Sequence, residues 1–411
     1  MLNAAQQREL VYVVIIDDIK PIPGKDRVEC AVVGGWTIMV RKEQFKPGDV
    51  GIYFEVDSKV PEKEPFMFLA PKHFKIKTQK YKTTEGSFWS QGLLMSAEDF
   101  NWEVQVEPLG GIRTEVIIDD AGKAHYPNDE SRFLTKQLEV TYATTEDNAR
   151  KAASADKYKK MAQRHGKLFS RQPFCWLMKR EWGKKLLFIF FGKKKDKRGW
   201  PAWVQKTDEE RVQNMPWILK DKNEWIATEK IDGTSTTFTI KRGKGFKKND
   251  FYVCSRNVVF DKPNKNCYYE TNVYTEMAEK YHMEEVLTQL LKVYPKAEWI
   301  TIQGETYGAG IQKRDYSMKN HDFAAFNLIM SHTGRWNSID MTKELKNFNI
   351  PCVPILDEHF ILPDTIEELL DYATEQSVID GKLREGIVFR YKDGSKSFKA
   401  VSNEFLLKFH Q

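Results

Sequence analysis

The first part of the chain alternates short apolar runs with turn residues, a pattern typical of strands rather than helices. Gly34 and Gly35 separate two of these runs and indicate a two-residue hairpin. About five such strands in about 120 residues predict a small β-barrel, either the five-stranded OB-fold or an SH3-like barrel. The predicted strands, rich in Val, Ile, Tyr and Phe, are 10–16, 28–33, 36–41, 50–56 and 88–95.

From residue 207 onward, helical and strand-like patterns are mixed. Segment 272–293 places its apolar residues near one helical face and stops before Pro295. Thr365 and Glu368 have capping-box spacing and begin a second predicted helix, 365–374, and Thr207 with Glu210 predicts a further helix start. This half is therefore predicted to be α+β. The strand-like runs are 225–228, 235–240, 251–254, 299–303, 323–329 and 386–391.

Composition adds a strongly basic middle segment to this picture. The chain has 411 residues, 41% hydrophobic and 30% charged, and a net charge of only +6. Residues 157–198 nevertheless contain fifteen Lys or Arg against two acids, a local charge of +13, interleaved with Trp and Phe. Three interpretations stay open: a solvated basic linker, a grip on nucleic acid in which cations meet phosphates and aromatics stack on bases, or a contact with another protein.

Cysteine usage and hydropathy restrict the cellular compartment in which the protein is expected. The five cysteines are scattered without C-x-x-C spacing, which argues against a disulfide framework or a structural zinc site. The N-terminus lacks a secretory signal pattern, and the longest strongly apolar run, 186–191, is six residues against about 20 for a membrane span. We therefore expect a soluble cytoplasmic protein with no membrane partner.

The sharpest chemical signal is Glu229-Lys230-Ile231-Asp232-Gly233-Thr234-Ser235. A lysine at a strand end can attack an electrophile when it is neutral, and neighbouring cations favour that form. The alternative is an ordinary surface turn, since this short pattern recurs by chance in about one chain in a hundred of this length.

Later segments each join a strand-like run to a charged or aromatic residue. They are 303–308, 323–327, 384–390 and 397–399. Together they supply an amine, carboxylates for a cation or a ribose, an aromatic ring for a base, and further cations for phosphates. Nucleotidyl transfer to a lysine needs this set, because charge develops on the phosphoryl oxygens in the transition state.

The ordered motifs resemble those of the covalent nucleotidyltransferase superfamily of ATP-dependent ligases and capping enzymes. Lys-x-Asp-Gly-Thr, with Ser235 where DNA ligases and capping enzymes carry Arg, is similar to the RNA ligase branch. Segments 53–58, 90–94, 206–214 and 397–403 resemble RNA ligases whose OB domain precedes the catalytic domain. The resemblance implies an OB-like barrel (1–145), a basic segment outside the resemblance (146–200), and an adenylyltransferase domain of antiparallel sheets with flanking helices (201–411).

The resemblance implies catalytic roles for three cationic residues. Lys230 would form the lysyl–AMP bond, Arg256 would contact phosphate or the RNA end, and Lys399 would bind the α-phosphate and help expel pyrophosphate. Many relatives have a second lysine where this chain has Val401, so a two-lysine arrangement is not expected here unless Lys396 substitutes.

The resemblance also implies a nucleotide site and a metal site. The ATP site would be completed by Glu229 beside the nucleophile, Glu305 on the ribose and Phe326 on the adenine. Phe323 is the other aromatic candidate, and core packing is the alternative role for either ring. Asp232 and Glu385 would position Mg²⁺ or Mn²⁺. A single Glu in a Lys-rich chain is usually a solvated ion-pair partner, so the order and spacing of the motifs carry these assignments.

The resulting expectation is an ATP-dependent RNA ligase that joins a 3′-OH to a 5′-phosphate through lysyl–AMP and an adenylylated RNA end. We expect a monomer acting on a nicked duplex or a broken stem. The alternatives are a DNA ligase, a capping-type nucleotidyltransferase, or a non-catalytic RNA-binding protein with a decayed ligase domain.

Overall fold

The computed structural model describes residues 1–4, 7–109, 112–142, 171–191, 200–245, 247–256, 258–260 and 272–409. Short strands make up most of the regular structure up to residue 142, and two helices lie within 171–191. Two antiparallel sheets with five α-helices form the part from 200 to 409. None of the helices described in these ranges is long and apolar enough to cross a membrane.

The N-terminal part is built from short strands in several small sheets. Three-stranded sheets have the orders β1-β5-β9, β2-β3-β4 and β10-β11-β12, and β7-β8 and β6-β13 form pairs. The strands are β1 (Val11–Ile15), β2 (Asp18–Pro21), β3 (Val28–Val33), β4 (Trp36–Arg41), β5 (Val50–Phe54), β6 (Ser58–Lys59), β7 (Gln79–Thr83), β8 (Gly86–Ser90), β9 (Leu93–Met95), β10 (Glu103–Leu109), β11 (Ile112–Ile118), β12 (Ala124–His125) and β13 (Thr141–Tyr142). The 3-10 helices are Phe66–Lys72, Glu98–Phe100 and Glu130–Arg132.

Alternating side chains divide the N-terminal part into two apolar cores. Strand β4 alternates buried and partly exposed residues, as expected for a strand with one face on a core. Tyr12 and Trp36 belong to one core, whereas Val11, Val13 and Phe54 belong to the other, so β1 contributes opposite faces to both. The predicted hairpin at Gly34 and Gly35 is confirmed, since β3 pairs with β4 on either side of it.

The C-terminal part contains a four-stranded and a six-stranded antiparallel sheet. Their orders are β21-β14-β22-β23 and β17-β16-β15-β18-β19-β20. The strands are β14 (Glu224–Lys230), β15 (Thr234–Lys241), β16 (Asp250–Cys254), β17 (Val259–Phe260), β18 (Trp299–Gly308), β19 (His321–Met330), β20 (Gly334–Arg335), β21 (Ile355–Ile361), β22 (Gly386–Arg390) and β23 (Ser397–Val401). The 3-10 helices are Val212–Asn214 and Pro216–Lys220.

Seven α-helices accompany these strands in the described residues. The predicted helix 272–293 is in fact two helices, because His282 adopts a left-handed backbone conformation (φ 48°) between them. The predicted Thr365/Glu368 capping box is confirmed. The helices are α1 (Phe174–Met178), α2 (Glu181–Phe191), α3 (Val273–Lys280), α4 (Met283–Val293), α5 (Ser338–Lys346), α6 (Ile366–Ala373) and α7 (Asn403–Phe409).

Each sheet of the C-terminal part has its own core. Helices α3 and α4 bury Met277, Leu287 and Leu290 against the six-stranded sheet. Helix α6 buries Leu369 and Ala373 against the four-stranded sheet. Each sheet is thus stabilised by its own apolar core. Polar residues where the two sheets face each other are available to form a site.

Segment 207–214 joins the C-terminal part to the N-terminal barrel. The Oδ1 atom of Asn214 accepts hydrogen bonds from Trp36 Nε1 at 2.6 Å and from Tyr12 Oη at 3.1 Å. The Gly35 amide donates to the Gln213 carbonyl oxygen at 2.7 Å. A Cβ atom on Gly35 would lie 2.7 Å from Gln213 Cα, so a glycine is required for this close approach.

The predicted helix start at Thr207 and Glu210 is wrong. Residues 207–210 have no regular structure, and Val212–Asn214 is a short 3-10 helix. The side chain of Glu210 accepts from Asn214 Nδ2 at 2.6 Å instead of from its own cap position. Tertiary partners therefore override the local capping pattern here.

The basic segment is described in part. Helices α1 and α2 pack against each other through Leu187, Phe174 and Phe191. The predicted limit between residues 145 and 146, and most of the basic run, lie outside the described residues.

Candidate active site

The ends of several strands surround one cavity between the two sheets. Lys230 is the last residue of β14 and pairs with Gly386, the first residue of β22. Lys399 lies on the neighbouring strand β23, opposite Val388. Glu305 reaches the same cavity from β18 of the six-stranded sheet. The cavity has a volume of about 240 Å³.

Eight of the site residues predicted from the sequence lie at this cavity, whereas the candidates Lys396, which pairs with Asp221 at 2.9 Å, and Phe323 do not line it. Residues separated by up to 170 positions in the chain meet there, because strands from both sheets end at its wall. The eight lining residues that were predicted are Glu229, Lys230, Asp232, Arg256, Glu305, Phe326, Glu385 and Lys399.

The amine of Lys230 is held by carboxylates. Its Nζ donates to Glu385 Oε2 at 2.7 Å, and 24% of the Lys230 side chain is exposed. Burial by itself lowers the pKa of Lys230, but the nearby charges of Glu385 and Glu305 raise it above its usual value. In this state the amine is therefore protonated. Nucleophilic attack needs the neutral amine, so this proton must be lost before the amine reacts.

Three acidic side chains share this small volume. Burial raises the pKa of Glu305 to about 8, the charge of Lys230 opposes that rise, and the charges of Glu385 and Asp232 add to it. The backbone amide of Asp232 donates to Tyr316 Oη at 2.6 Å, which fixes the turn after the nucleophile. An added cation would relieve the mutual repulsion of these carboxylates.

The donor chemistry fits a hydrated magnesium or manganese ion. Carboxylate oxygens suit such hard cations, and Mg²⁺ usually keeps several waters and takes only one or two protein carboxylates. In the described ranges, no group of three or more His, Cys, Asp or Glu side chains is arranged to hold a metal ion. Asp232 and Glu385 thus fit an ion that brings most of its own ligands, rather than a closed protein cage.

Gly233 permits the tight approach of the two sheets beside the nucleophile. A Cβ atom there would lie 2.3 Å from the Thr306 carbonyl oxygen and 2.9 Å from Glu305 Cγ. Its own carbonyl accepts from Gln312 Nε2 at 2.9 Å. A side chain at this position would push Glu305 away from Lys230.

A second cluster of charges lies on the side of Lys399. Its Nζ donates to Asp208 Oδ1 at 2.9 Å, and Arg256 pairs with the other oxygen of Asp208. Burial lowers the pKa of Lys399, Asp208 opposes that effect, and Arg8 and Arg211 lower it further. Burial acts against ionisation of Asp208, but Lys399 and Arg256 outweigh it and lower the pKa of this carboxyl.

Asp208 therefore occupies the anion position between two residues expected to bind phosphate. Sequence reasoning had identified segment 206–214 only by resemblance and had missed this acid. Sequence reasoning also missed three arginines that line the cavity, Arg8, Arg211 and Arg390. Asp208 could have been identified from its position in segment 206–214, which resembles RNA ligases.

The two aromatic candidates differ in their surroundings. Phe326 is partly buried at the cavity, with the Arg390 guanidinium carbon 5.9 Å from its ring centroid. Phe323 is fully buried and packs against Phe238, with ring centroids 5.2 Å apart. Phe326 can thus offer a ring face to a bound base, whereas Phe323 belongs to the core.

Glu229 lies beside the cavity with its carboxylate already engaged. Ser377 Oγ donates to one oxygen, and the Val378 amide donates to the other at 2.9 Å. Burial raises its pKa, and these two hydrogen bonds oppose the rise. The Glu229 side chain thus holds segment 377–378 against the nucleophile strand.

Two family models and several solved structures match this chain. Residues 223–408 match the family model of RNA ligases, and residues 10–96 match the model of the PHA02142 OB-fold domain. A solved structure of Naegleria gruberi RNA ligase with PPi is 25% identical, with 98% of this chain and 99% of that chain covered and a TM-score of 0.67. A variant of that ligase with ATP and Mn is also 25% identical, with 98% of each chain covered and a TM-score of 0.65. A comparison with curated protein sequences gave no significant match.

The fold and these matches define a sheet-rich nucleotidyltransferase domain preceded by an OB-fold domain. More narrowly, residues 223–408 are an RNA ligase domain, and residues 10–96 are an OB-fold domain. The predicted fold class is confirmed, and of the two barrel alternatives the OB-fold is correct.

Proposed function

We propose that the protein is an ATP-dependent RNA ligase that seals 3′-OH and 5′-phosphate ends through a lysyl–AMP intermediate on Lys230. One observation carries the proposal: the amines of Lys230 and Lys399 and the carboxylates of Glu305 and Glu385 line a single cavity. The match of residues 223–408 to the RNA ligase family model supports the proposal, as does the similarity of the chain to an RNA ligase structure solved with ATP and Mn.

In the first step, Lys230 Nζ attacks the α-phosphorus of ATP. The new N–P bond forms as the bond to the bridging oxygen breaks, and pyrophosphate leaves. The amine must lose a proton, and Glu385, 2.7 Å away, can accept it. Lys399 and Arg256 stabilise the charge that develops on the phosphoryl oxygens.

Asp232 and Glu385 would hold the divalent metal ion, Mg²⁺ or Mn²⁺. When bound, that ion would neutralise phosphate charge near the reacting phosphorus. A cation at this place would also favour the ionised form of Glu305, whose pKa burial raises to about 8. Ionised Glu305 could then accept hydrogen bonds from the ribose, and Phe326 would stack on the adenine.

The same cavity serves the next two transfers. AMP passes from Lys230 to the RNA 5′-phosphate, and the 3′-OH then attacks that phosphate and releases AMP. Each step moves a phosphoryl or nucleotidyl group between similarly placed oxygens, so the same cations can stabilise all three.

We further propose an organisation in which residues 1–145 and 146–200 hold the RNA and residues 201–411 carry the chemistry. The substrate would be a nicked duplex or a broken stem, bound by a monomer in the cytoplasm. A 2′-OH at the nick would allow the site to distinguish RNA from DNA.

Intact mass spectrometry after incubation with ATP and Mg²⁺ tests the proposal. The wild type should gain the mass of one adenylate, Lys230→Ala should gain none, and GTP should not replace ATP. Matched RNA and DNA nicks then separate an RNA ligase from a DNA ligase. Wild-type protein that binds RNA but never gains AMP would establish the non-catalytic alternative.

A further inference from the structure

A row of lysines lies within the OB-fold domain, next to the cavity. Residues 72–82 contain five lysines and no acid. Phe74 and Ile76 are buried in the barrel core, whereas Lys75 and Lys77, each next to one of them, are partly exposed. This alternation leaves two neighbouring lysines partly accessible to solvent.

Backbone hydrogen bonds place this row at the cavity. The Asp57 amide donates to the Ile76 carbonyl oxygen at 2.8 Å, and the Ile76 amide donates to the Ser58 carbonyl oxygen at 2.9 Å. Asp57 lines the cavity. Lys77 thus follows directly after a residue that is paired with the cavity wall.

The RNA ligase domain contributes a third lysine to the same place. Gln312 lines the cavity, and Arg314 is buried in an ion pair with Asp380 at 2.6 Å, which leaves Lys313 exposed between them. Burial lowers the pKa of Lys77, the charges of Lys75 and Lys313 lower it further, and Asp57 opposes them. Lys313 thus follows a cavity-lining residue, just as Lys77 follows a residue paired with the cavity wall, and both lie on this side of the cavity.

These lysines differ in pairing from their neighbour Lys80. Lys80 forms an ion pair with Glu404 of α7 and lies 4.7 Å from the Trp89 ring centroid. Within the described parts of the chain, Lys75 and Lys77 form no such ion pair with Asp or Glu. A site with crowded cations and few compensating acids is favourable for an anion.

We propose that Lys75, Lys77 and Lys313 form a binding site for the RNA phosphate backbone that spans the two domains at the mouth of the cavity. This inference rests on the proposed function. Phosphates of a polynucleotide fit better than those of ATP, because Lys399, Arg256, Arg8 and Arg211 already line the cavity interior. The lysine site adjoins the cavity wall at Asp57, so an RNA end bound in the cavity would have its neighbouring phosphates close to this site.

The test compares RNA binding by full-length wild type and K75Q/K77Q over a range of salt concentrations. The probe is a nicked RNA duplex without ATP. Loss of two phosphate contacts should reduce the slope of log affinity against log salt by about 1.5. If the two proteins converge at about 1 M salt, the variant should bind about 30-fold more weakly at about 0.1 M.

Two control variants separate this site from a general charge effect. K343Q/K346Q removes two exposed lysines from α5, so its slope should fall much less. K75R/K77R keeps both charges and should bind like the wild type. Thermal unfolding midpoints of all variants verify that they are folded.

Adenylation by ATP reports separately on the proposed function, because that step needs no RNA. A wild type that never gains AMP would refute the proposed ligase, whatever the lysines do. An unchanged salt slope in K75Q/K77Q, an equal loss in K343Q/K346Q, or lost adenylation with intact RNA affinity would overturn the lysine site.

Discussion

Glu305→Gln should remove a large pH dependence of stability from the nucleotide-free protein. Glu305 is enclosed beside Glu385 and Asp232, and burial raises its pKa to about 8 from an ordinary value of 4.5. Between these two pH values the folded protein holds a proton that the unfolded chain has released. Stability therefore falls as the pH rises from 4.5 towards 8 and levels off above that range.

The size of the effect follows from the two pKa values. One pKa unit corresponds to about 1.4 kcal/mol, so the contribution lost between pH 5 and pH 9 is about 4 kcal/mol as an upper bound. Glutamine keeps the shape of the side chain and cannot ionise. The variant should therefore lack this loss and unfold at a higher urea concentration than the wild type at pH 9.

The assay is urea unfolding followed by circular dichroism at pH 5, 7 and 9, in EDTA and without ATP. The difference in free energy of unfolding between wild type and variant isolates Glu305, because the two proteins share the other titrating groups. A difference that stays constant from pH 5 to pH 9 would refute the reasoning. Added Mg²⁺ or Mn²⁺ should reduce the pH dependence of the wild type, since a bound cation favours the ionised carboxylate.

Three further substitutions test the site and its support. Lys399→Met removes a cation aimed at the charge that develops on the α-phosphate. It should therefore reduce adenylation of the nucleophile by about 10²- to 10³-fold in a single-turnover assay. A normal rate would show that this lysine does not reach the α-phosphate. Arg314→Met should lower the free energy of unfolding by about 3 kcal/mol by leaving Asp380 buried without its partner, and adding Asp380→Asn should restore part of it; a purely additive double variant would contradict the coupling. Gly233→Ala should lower the adenylation rate, because its Cβ would lie 2.3 Å from the Thr306 carbonyl oxygen, and a wild-type rate would show that the turn adjusts.

Local patterns were sufficient for many strands and for the identity of the reacting groups, although β10, β11 and β21 were missed and the predicted strand 88–95 is in fact β8 and β9. Strand-favouring residues after the Gly34-Gly35 turn predicted β4, and the box at Thr365 predicted the start of α6 correctly, because both depend on neighbours within a few residues. The order of the motifs also led to the residues that line the cavity. Their individual roles stay predictions until the variants are measured.

Local patterns failed where distant residues compete for the same side chain. Thr207 and Glu210 have the spacing of a helix cap, but Thr207 meets Ser235 at 2.7 Å and Glu210 binds Asn214. Asp208 between them reaches Lys399 and Arg256. A charge-assisted contact with a distant cation is stronger than one more capping hydrogen bond, so this segment is not helical.

The amino-acid sequence by itself determined which chemical groups the protein has and in which order the strands carry them. It specified a lysine at the end of one strand, carboxylates on others, and glycine where two segments of the chain must approach closely. Only the tertiary structure decided the protonation of those groups. Lys230 meets Glu385, 155 positions further along the chain, at 2.7 Å, and Asp208 meets Lys399, 191 positions further along, at 2.9 Å. Burial and through-space charge set each pKa, and both depend on distances that no local pattern contains.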